Sequence, residues 1–134
     1  MLAALPVWLG CSVLYDAPMH PAWILASPFL FLMLVVIRPV LEEMVFRGLL
    51  QSWLLESSWG QNKKYGISVA NGLTSLVFAG LHVLGHPPWM AASVLLPSLV
   101  FGYFRERYQG WLIPAIGLHC FYNAGYFATI PLAP

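Results

Sequence analysis

The sequence predicts an all-α fold, a polytopic transmembrane helix bundle with about five or six membrane segments. Hydrophobic residues make up 60% of the 134 residues and charged residues only 8%. Soluble domains contain about 45–50% apolar and about 25% charged residues. The apolar residues form long runs, and the breaks between them are short and rich in proline, glycine or charge. The length suits one domain over residues 1–134.

The first apolar run, 1–15, is short for a complete crossing. No Lys or Arg precedes it and Pro6 interrupts it, so it is not typical of a signal peptide. A polar break at 16–21 follows and contains His20. Five further apolar runs are predicted as helices, at 22–37, 40–56, 67–85, 89–104 and 111–130.

The second and third runs could form one helix over 22–56, but it would be about 52 Å long at 1.5 Å per residue, more than one crossing. A residue before proline disfavours helix, and a proline suits the first turn of a new one. We therefore predict a boundary at Arg38-Pro39. The later breaks are predicted as a loop at 57–66, a turn at 86–88, a loop at 105–110, and helix distortions at Pro97, Pro114 and Gly117.

Charge distribution gives an orientation and excludes one class of partner. Two loops separated by two predicted spans carry basic pairs, Lys63 with Lys64 and Arg105 with Arg107. The positive-inside rule makes their common side cytoplasmic. A net charge of +1 without a basic stripe argues against a nucleic-acid partner. The two cysteines, Cys11 and Cys120, have neither metal-ligand spacing nor a disulfide framework.

The segment 42–47 places three charged residues inside an apolar run. An ionisable group in a membrane segment costs roughly 2.5 kcal/mol or more unless it is paired, so it indicates a functional site. On a helix, Glu43 and Arg47 lie one turn apart on one face, in the favourable order with Glu first. Glu42 lies about 100° round the helix, so this pairing does not account for it.

Three more polar residues lie in predicted spans: His82, and the pair His119 and Asn123 at i and i+4 on one helix face. A single membrane histidine is more often a hydrogen-bond partner between helices than a catalyst. Together with Glu42, however, these residues supply what is needed to activate a water and stabilise an oxyanion. From the helical rise, Glu42, His82 and Asn123 fall in one layer, with His119 about one turn deeper.

In order, these residues form EExxxR, FxxxH (Phe78 and His82) and HxxxN. The set resembles the three motifs of the CPBP intramembrane proteases, the CAAX protease and bacteriocin-processing family also called ABI. The resemblance covers about residues 40–130. It implies a membrane-embedded endopeptidase in which Glu42 and His82 activate the attacking water, His119 and Asn123 stabilise the oxyanion, and Glu43 and Arg47 support the site.

The resemblance leaves the cofactor open, because the family was first described as metalloproteases. The chain has no HExxH zinc pattern, and we favour a glutamate-type hydrolase with no cofactor. The alternative is zinc held by Glu42, His82 and His119 with one open position. The short chain resembles minimal bacterial members paired with C-terminal sorting signals. It therefore predicts a multi-pass protein of a prokaryotic cell membrane that acts on a membrane protein or peptide.

Two other functions remain open. One is a non-catalytic immunity or binding protein of the same family, which would be expected to lose a residue such as Glu42 or His82. The other is a transporter or channel subunit, which often contains an inverted repeat. The sequence keeps all four candidate catalytic residues and shows no internal repeat, so the peptidase is favoured.

Overall fold

The computed structural model describes residues 22–129, which are helical apart from one small β-hairpin and short turns. The predicted run 1–15, with Cys11, and the break at 16–21 lie outside the described residues. The elements in chain order are α1 (Ala22–Ala26), α2 (Pro28–Leu32), the π-helical turn π1 (Met33–Ile37), α3 (Arg38–Glu43), the π-helical segment π2 (Met44–Leu50), α4 (Gln51–Leu55), β1 (Lys63–Lys64), β2 (Ile67–Ser68), α5 (Val69–His82), α6 (Pro88–Ser93), α7 (Leu95–Arg107) and α8 (Ile113–Thr129).

The chain divides into two compact units, each described here by itself. The central unit comprises residues 41–117. The terminal unit comprises, among the described residues, 22–40 and 118–129. The prediction of a single domain stays a prediction.

The predicted boundary at Arg38-Pro39 is wrong, because both residues lie inside α3. The π-helical turn before them explains why a proline is tolerated there. The Arg38 N–H bonds to the Met33 carbonyl, five residues back. The next hydrogen bond of this five-residue pattern would run from the backbone nitrogen of Pro39 to the Leu34 carbonyl. Pro39 cannot donate it, because its nitrogen carries no hydrogen. The Asn123 side chain donates to that carbonyl instead, with Nδ2 3.0 Å from the oxygen.

In the central unit, the predicted loop at 57–66 leads into a hairpin that the sequence did not reveal. Lys63 pairs with Ser68 and Lys64 with Ile67 in antiparallel register. The two turn residues, Tyr65 and Gly66, both have positive φ, as a tight two-residue hairpin turn requires. Ser68 then caps α5, because its Oγ accepts the Asn71 N–H at 2.9 Å.

The helix predicted at 89–104 is two helices, α6 and α7, separated at Val94. Pro97 lies in the first turn of α7, where its missing N–H costs no intrahelical hydrogen bond. The helix runs on to Arg107, so the predicted loop is reduced to a turn at 108–110. The last predicted helix corresponds to α8, in which Pro114 falls in the first turn and Gly117 causes no break.

Glu106, near the end of α7, makes polar contacts with three other residues of the central unit. Its carboxylate accepts hydrogen bonds from Ser68 Oγ and from Gln51 Nε2, and it lies 2.9 Å from Lys63 Nζ. Beside it, Arg105 Nη2 donates to Ser52 Oγ at 2.7 Å. Burial lowers the pKa of Arg105, and the neighbouring Glu106 carboxylate opposes this shift. These contacts join α4, the hairpin and the end of α7.

The central unit buries polar side chains and exposes large apolar ones. The polar side chains without exposed surface are Glu43, Arg47, Gln51, Asn71, Thr74, Ser75 and Ser98. Leu49, Trp53 and Leu96 are each more than 60% exposed. Buried polar side chains and large exposed apolar ones are both departures from the usual distribution in a soluble protein.

Within residues 22–129, none of the helices combines the length and the apolar character that a membrane crossing requires. The predicted helical class is confirmed by the elements of the described residues. The number of membrane segments stays a prediction.

Candidate active site

The first motif forms the buried ion pair that its spacing predicted. Arg47 Nε lies 3.4 Å from Glu43 Oε2, and neither side chain has exposed surface. Glu43 ends α3 and Arg47 lies in π2, so the pair bridges the change from one helical pattern to the other. Glu42, immediately before the pair, is partly exposed.

The other edge of the Arg47 guanidinium faces α7. Its Nη2 donates to the carbonyl of Ser98 at 2.9 Å and to the hydroxyl of the same residue at 2.7 Å. One turn further on, Gln51 Nε2 donates to the Gly102 carbonyl at 3.2 Å and to Glu106 Oε1 at 2.8 Å. Sequence reasoning missed this contact face. The one-turn spacing of Arg47 and Gln51 matches that of Ser98 and Gly102, but spacing within each helix does not indicate which helices meet.

The second motif ends α5. His82 Nδ1 lies 2.8 Å from the carbonyl oxygen of Phe78, one turn before it. A carbonyl only accepts hydrogen bonds, so Nδ1 carries the hydrogen and the neutral ring keeps Nε2 as an acceptor. The ring stacks near His86, with centroids 6.0 Å apart, and it is partly exposed. Nε2 of this partly exposed residue is therefore the ring nitrogen left to accept a further hydrogen bond.

Phe78 brings the first two motifs together within the central unit. Its ring, almost fully buried, meets Phe46 edge-on with centroids 5.0 Å apart. The Arg47 guanidinium carbon lies 5.7 Å from the same ring centroid, and the His82 ring centroid lies 4.6 Å from it. The aromatic residue of FxxxH thus fixes the separation between the buried ion pair and the histidine.

The third motif lies in α8, in the terminal unit. His119 is buried, and Asn123 follows one helical turn later, as predicted. Asn123 donates one amide hydrogen to the Leu34 carbonyl. An amide nitrogen carries two hydrogens, so this structural bond uses one of them. The grouping of His119 and Asn123 with Glu42 and His82 stays a prediction.

No metal centre is formed inside either unit over residues 22–129, because three His, Cys, Asp or Glu side chains do not group there in a way that could hold an ion. The predicted zinc ligands, Glu42, His82 and His119, come from both units. One carboxylate and two imidazoles are a donor set that suits zinc. The zinc alternative and the metal-free prediction therefore both stand.

A comparison with protein families matches residues 23–125 to the family described as type II CAAX prenyl endopeptidase Rce1-like. The match covers most of the chain and includes all three motifs. The chain belongs to this family. It is a protease family, consistent with the CPBP resemblance of the motifs, and its members are integral membrane proteins. No curated protein and no solved structure matches the chain significantly.

Proposed function

We propose that the protein is an intramembrane endopeptidase that hydrolyses a peptide bond of a membrane-associated protein or peptide. The observation that carries this proposal is the meeting of EExxxR and FxxxH at Phe78. Glu42, a partly exposed glutamate, and His82, a histidine with an acceptor nitrogen, belong to the same compact unit, which supports the proposal. Membership of a protease family supports the same class of reaction.

In the proposed reaction, Glu42 removes a proton from a water molecule that His82 Nε2 holds as a hydrogen-bond acceptor. The water oxygen then adds to the carbonyl carbon of the substrate, and the carbonyl oxygen becomes an oxyanion. Donors from His119 and Asn123 stabilise that charge, as in other oxyanion holes. When the intermediate collapses, the carbon–nitrogen bond breaks and the proton held by Glu42 passes to the leaving amine.

The surface of the central unit supports an environment of lipid. Large apolar side chains point outward, while the interior holds an ion pair, amides and hydroxyls. An exposed apolar surface of this extent indicates a membrane or a partner protein. We propose the membrane, since members of the family are integral membrane proteases. A prokaryotic origin stays a prediction.

The first substrate class to examine is a prenylated CAAX-type peptide, which the family description names. C-terminal sorting signals and bacteriocin precursors are the other two classes. All three present a cleavable segment close to a membrane anchor, which suits a site inside a membrane protein. We propose that no metal takes part, with zinc as the alternative.

The test compares the termini of membrane proteins in cells that carry either the wild-type chain or Glu42→Gln at equal levels. Glu56→Gln is a matched control, because Glu56 is exposed at the end of α4. We expect a set of C-terminal fragments that requires Glu42 and is retained in the control. Identical termini in all three strains would favour the non-catalytic binding protein.

A second arm uses the purified full chain and a farnesylated CAAX-type peptide. Cleavage of this peptide, but not of its unprenylated form, identifies the prenyl-directed class. Treatment with EDTA distinguishes the two mechanisms. We expect cleavage to persist after chelation, whereas loss of cleavage that added zinc restores would show that zinc is required.

A further inference from the structure

We infer that Ser98 is a positioning residue of the proposed hydrolytic site, which orients Arg47 and through it Glu43. This inference rests on the proposed function. Ser98 lies on α7, far along the chain from EExxxR, and has no place in the three motifs. It is fully buried, and both its hydroxyl and its carbonyl oxygen face the Arg47 guanidinium.

The guanidinium is divided between two partners. Its Nε edge lies against Glu43, and its Nη2 is bound twice by Ser98. Nη1 is buried without a hydrogen-bond partner among the described residues. Among the described residues, Ser98 therefore accepts both hydrogen bonds that the Arg47 side chain donates. Without the hydroxyl, Nη2 keeps a single hydrogen bond, to the Ser98 carbonyl, so the guanidinium is held less firmly against α7.

Rotation of the guanidinium matters because a carboxylate and a guanidinium prefer to meet through two parallel hydrogen bonds. The ion pair between Arg47 and Glu43 joins Nε to Oε2 at 3.4 Å. Ser98 keeps Nη2 away from that carboxylate. If Arg47 turned toward Glu43, the carboxylate would follow, and the adjacent Glu42 on the same short segment would change its direction. The hydroxyl thus affects the proposed base through the ion pair.

A second contact separates this orienting effect from support of the helix. Gln51, one turn after Arg47, is bound to the Gly102 carbonyl and to Glu106. These bonds hold π2 and α4 against α7 whether or not Ser98 has a hydroxyl. Removing the hydroxyl should therefore change the direction of the guanidinium and leave the packing of the helices in place.

The expected effect is kinetic. Displacement of a reacting group by about 1 Å can lower a rate about 100-fold. We expect Ser98→Ala to lower kcat roughly 10- to 100-fold with little change in KM, because the substrate contacts are not altered. Ser98→Thr keeps a hydroxyl at the same carbon and should recover most of the rate.

Ser75→Ala is the matched control. Ser75 is also fully buried in the central unit, but its hydroxyl donates to Asn71 Oδ1 and not to Arg47. A buried hydroxyl is lost in both alanine variants, so a general effect of destabilisation should appear in both. Thermal unfolding of each variant shows whether the folded fraction is equal at the assay temperature.

The experiment measures kcat and KM of the full chain in lipid nanodiscs. The probe is a quenched farnesylated CAAX-type peptide or, if that is not cut, a peptide spanning a Glu42-dependent terminus found in cells. A low kcat for Ser98→Ala, recovered in Ser98→Thr and absent in Ser75→Ala, supports the inference. The inference about Ser98 is overturned if Ser98→Ala cleaves at the wild-type rate, or if kcat falls equally in Ser75→Ala. Neither result affects the proposed function. Absence of any Glu42-dependent cleavage by the wild type overturns the proposed function and this inference together.

Discussion

Arg47 has different partners on its two edges, a carboxylate on one and a serine on the other. Its guanidinium also faces the Phe78 ring, so one buried cation contacts three elements of the central unit. Of these partners, Glu43 lies one helical turn from Arg47 in the sequence. Removing Arg47 would take away the cationic partner of the buried Glu43 carboxylate, whereas changing the partly exposed Glu42 leaves this ion pair intact.

We therefore expect Arg47→Ala to lower the free energy of unfolding by about 3–5 kcal/mol, the usual cost of removing one partner of a buried ion pair. Glu42→Gln should abolish cleavage and leave stability close to that of the wild type. Thermal unfolding in detergent and the level of protein in the membrane measure the stability of the two variants. Equal destabilisation by the two substitutions would contradict this division of roles between neighbouring residues.

At the scale of elements, a proline is accommodated inside α3 by a side chain from α8. Pro39 supplies no N–H to the Leu34 carbonyl, and Asn123 donates to that carbonyl. The rule that a residue before proline leaves the helix is a local steric preference. Here the π-helical turn and a donor 89 residues away in sequence outweigh it.

This arrangement predicts a coupling between positions 39 and 123. We expect Asn123→Ala to cost about 1–3 kcal/mol of stability, because a carbonyl loses its donor. In a Pro39→Ala background the restored backbone N–H should reduce that cost. A double-mutant cycle by chemical or thermal unfolding measures the difference. Equal costs of Asn123→Ala in the two backgrounds would show that Asn123 does not replace the missing backbone donor.

The contact of α5 with α7 makes a second prediction for elements. A Cβ at Gly102 would overlap the Asn71 side chain, whereas a Cβ at Gly72 meets nothing within 4 Å. We expect Gly102→Ala to destabilise the protein by roughly 1–3 kcal/mol through overpacking. Gly72→Ala, the matched control on α5, should be neutral or slightly stabilising because alanine favours helix. Thermal unfolding of the two variants compares them, and similar values would argue against a close approach at Gly102.

At the scale of the whole molecule, the distribution of polarity suggests how the protein meets its surroundings. The described central unit buries charged and amide side chains beside apolar ones such as Phe78 and Phe101, and it exposes large apolar side chains. In water, such a surface would favour aggregation, while lipid accommodates it without cost. This is the structural basis for proposing a membrane environment.

The corresponding prediction concerns extraction from membranes. We expect the full-length chain to remain in the membrane pellet after washing with alkaline carbonate and to enter solution only with detergent. The same behaviour is expected of Glu42→Gln, since that substitution leaves the apolar surface unchanged. Release of the wild-type chain by carbonate alone would contradict the proposed membrane insertion.

The helical class, the Glu43–Arg47 pair and the family could be predicted from the amino-acid sequence, because each depends on local spacing or on hydropathy. Composition shows a chain rich in apolar residues, and one-turn spacing on a helix fixes which side chains share a face. The three short motifs were sufficient to indicate the family that the comparison confirmed.

The partners of those residues could not be predicted in this way, because they come from helices that are far apart in the sequence. Arg47 meets Ser98 and Gln51 meets Gly102, each across 51 positions of the chain, and Asn123 meets Leu34 across 89. No local pattern specifies contacts of that range, because they depend on how separate helices pack. For the same reason the local rule failed at Pro39, where a distant amide supplies the hydrogen bond that the proline cannot make.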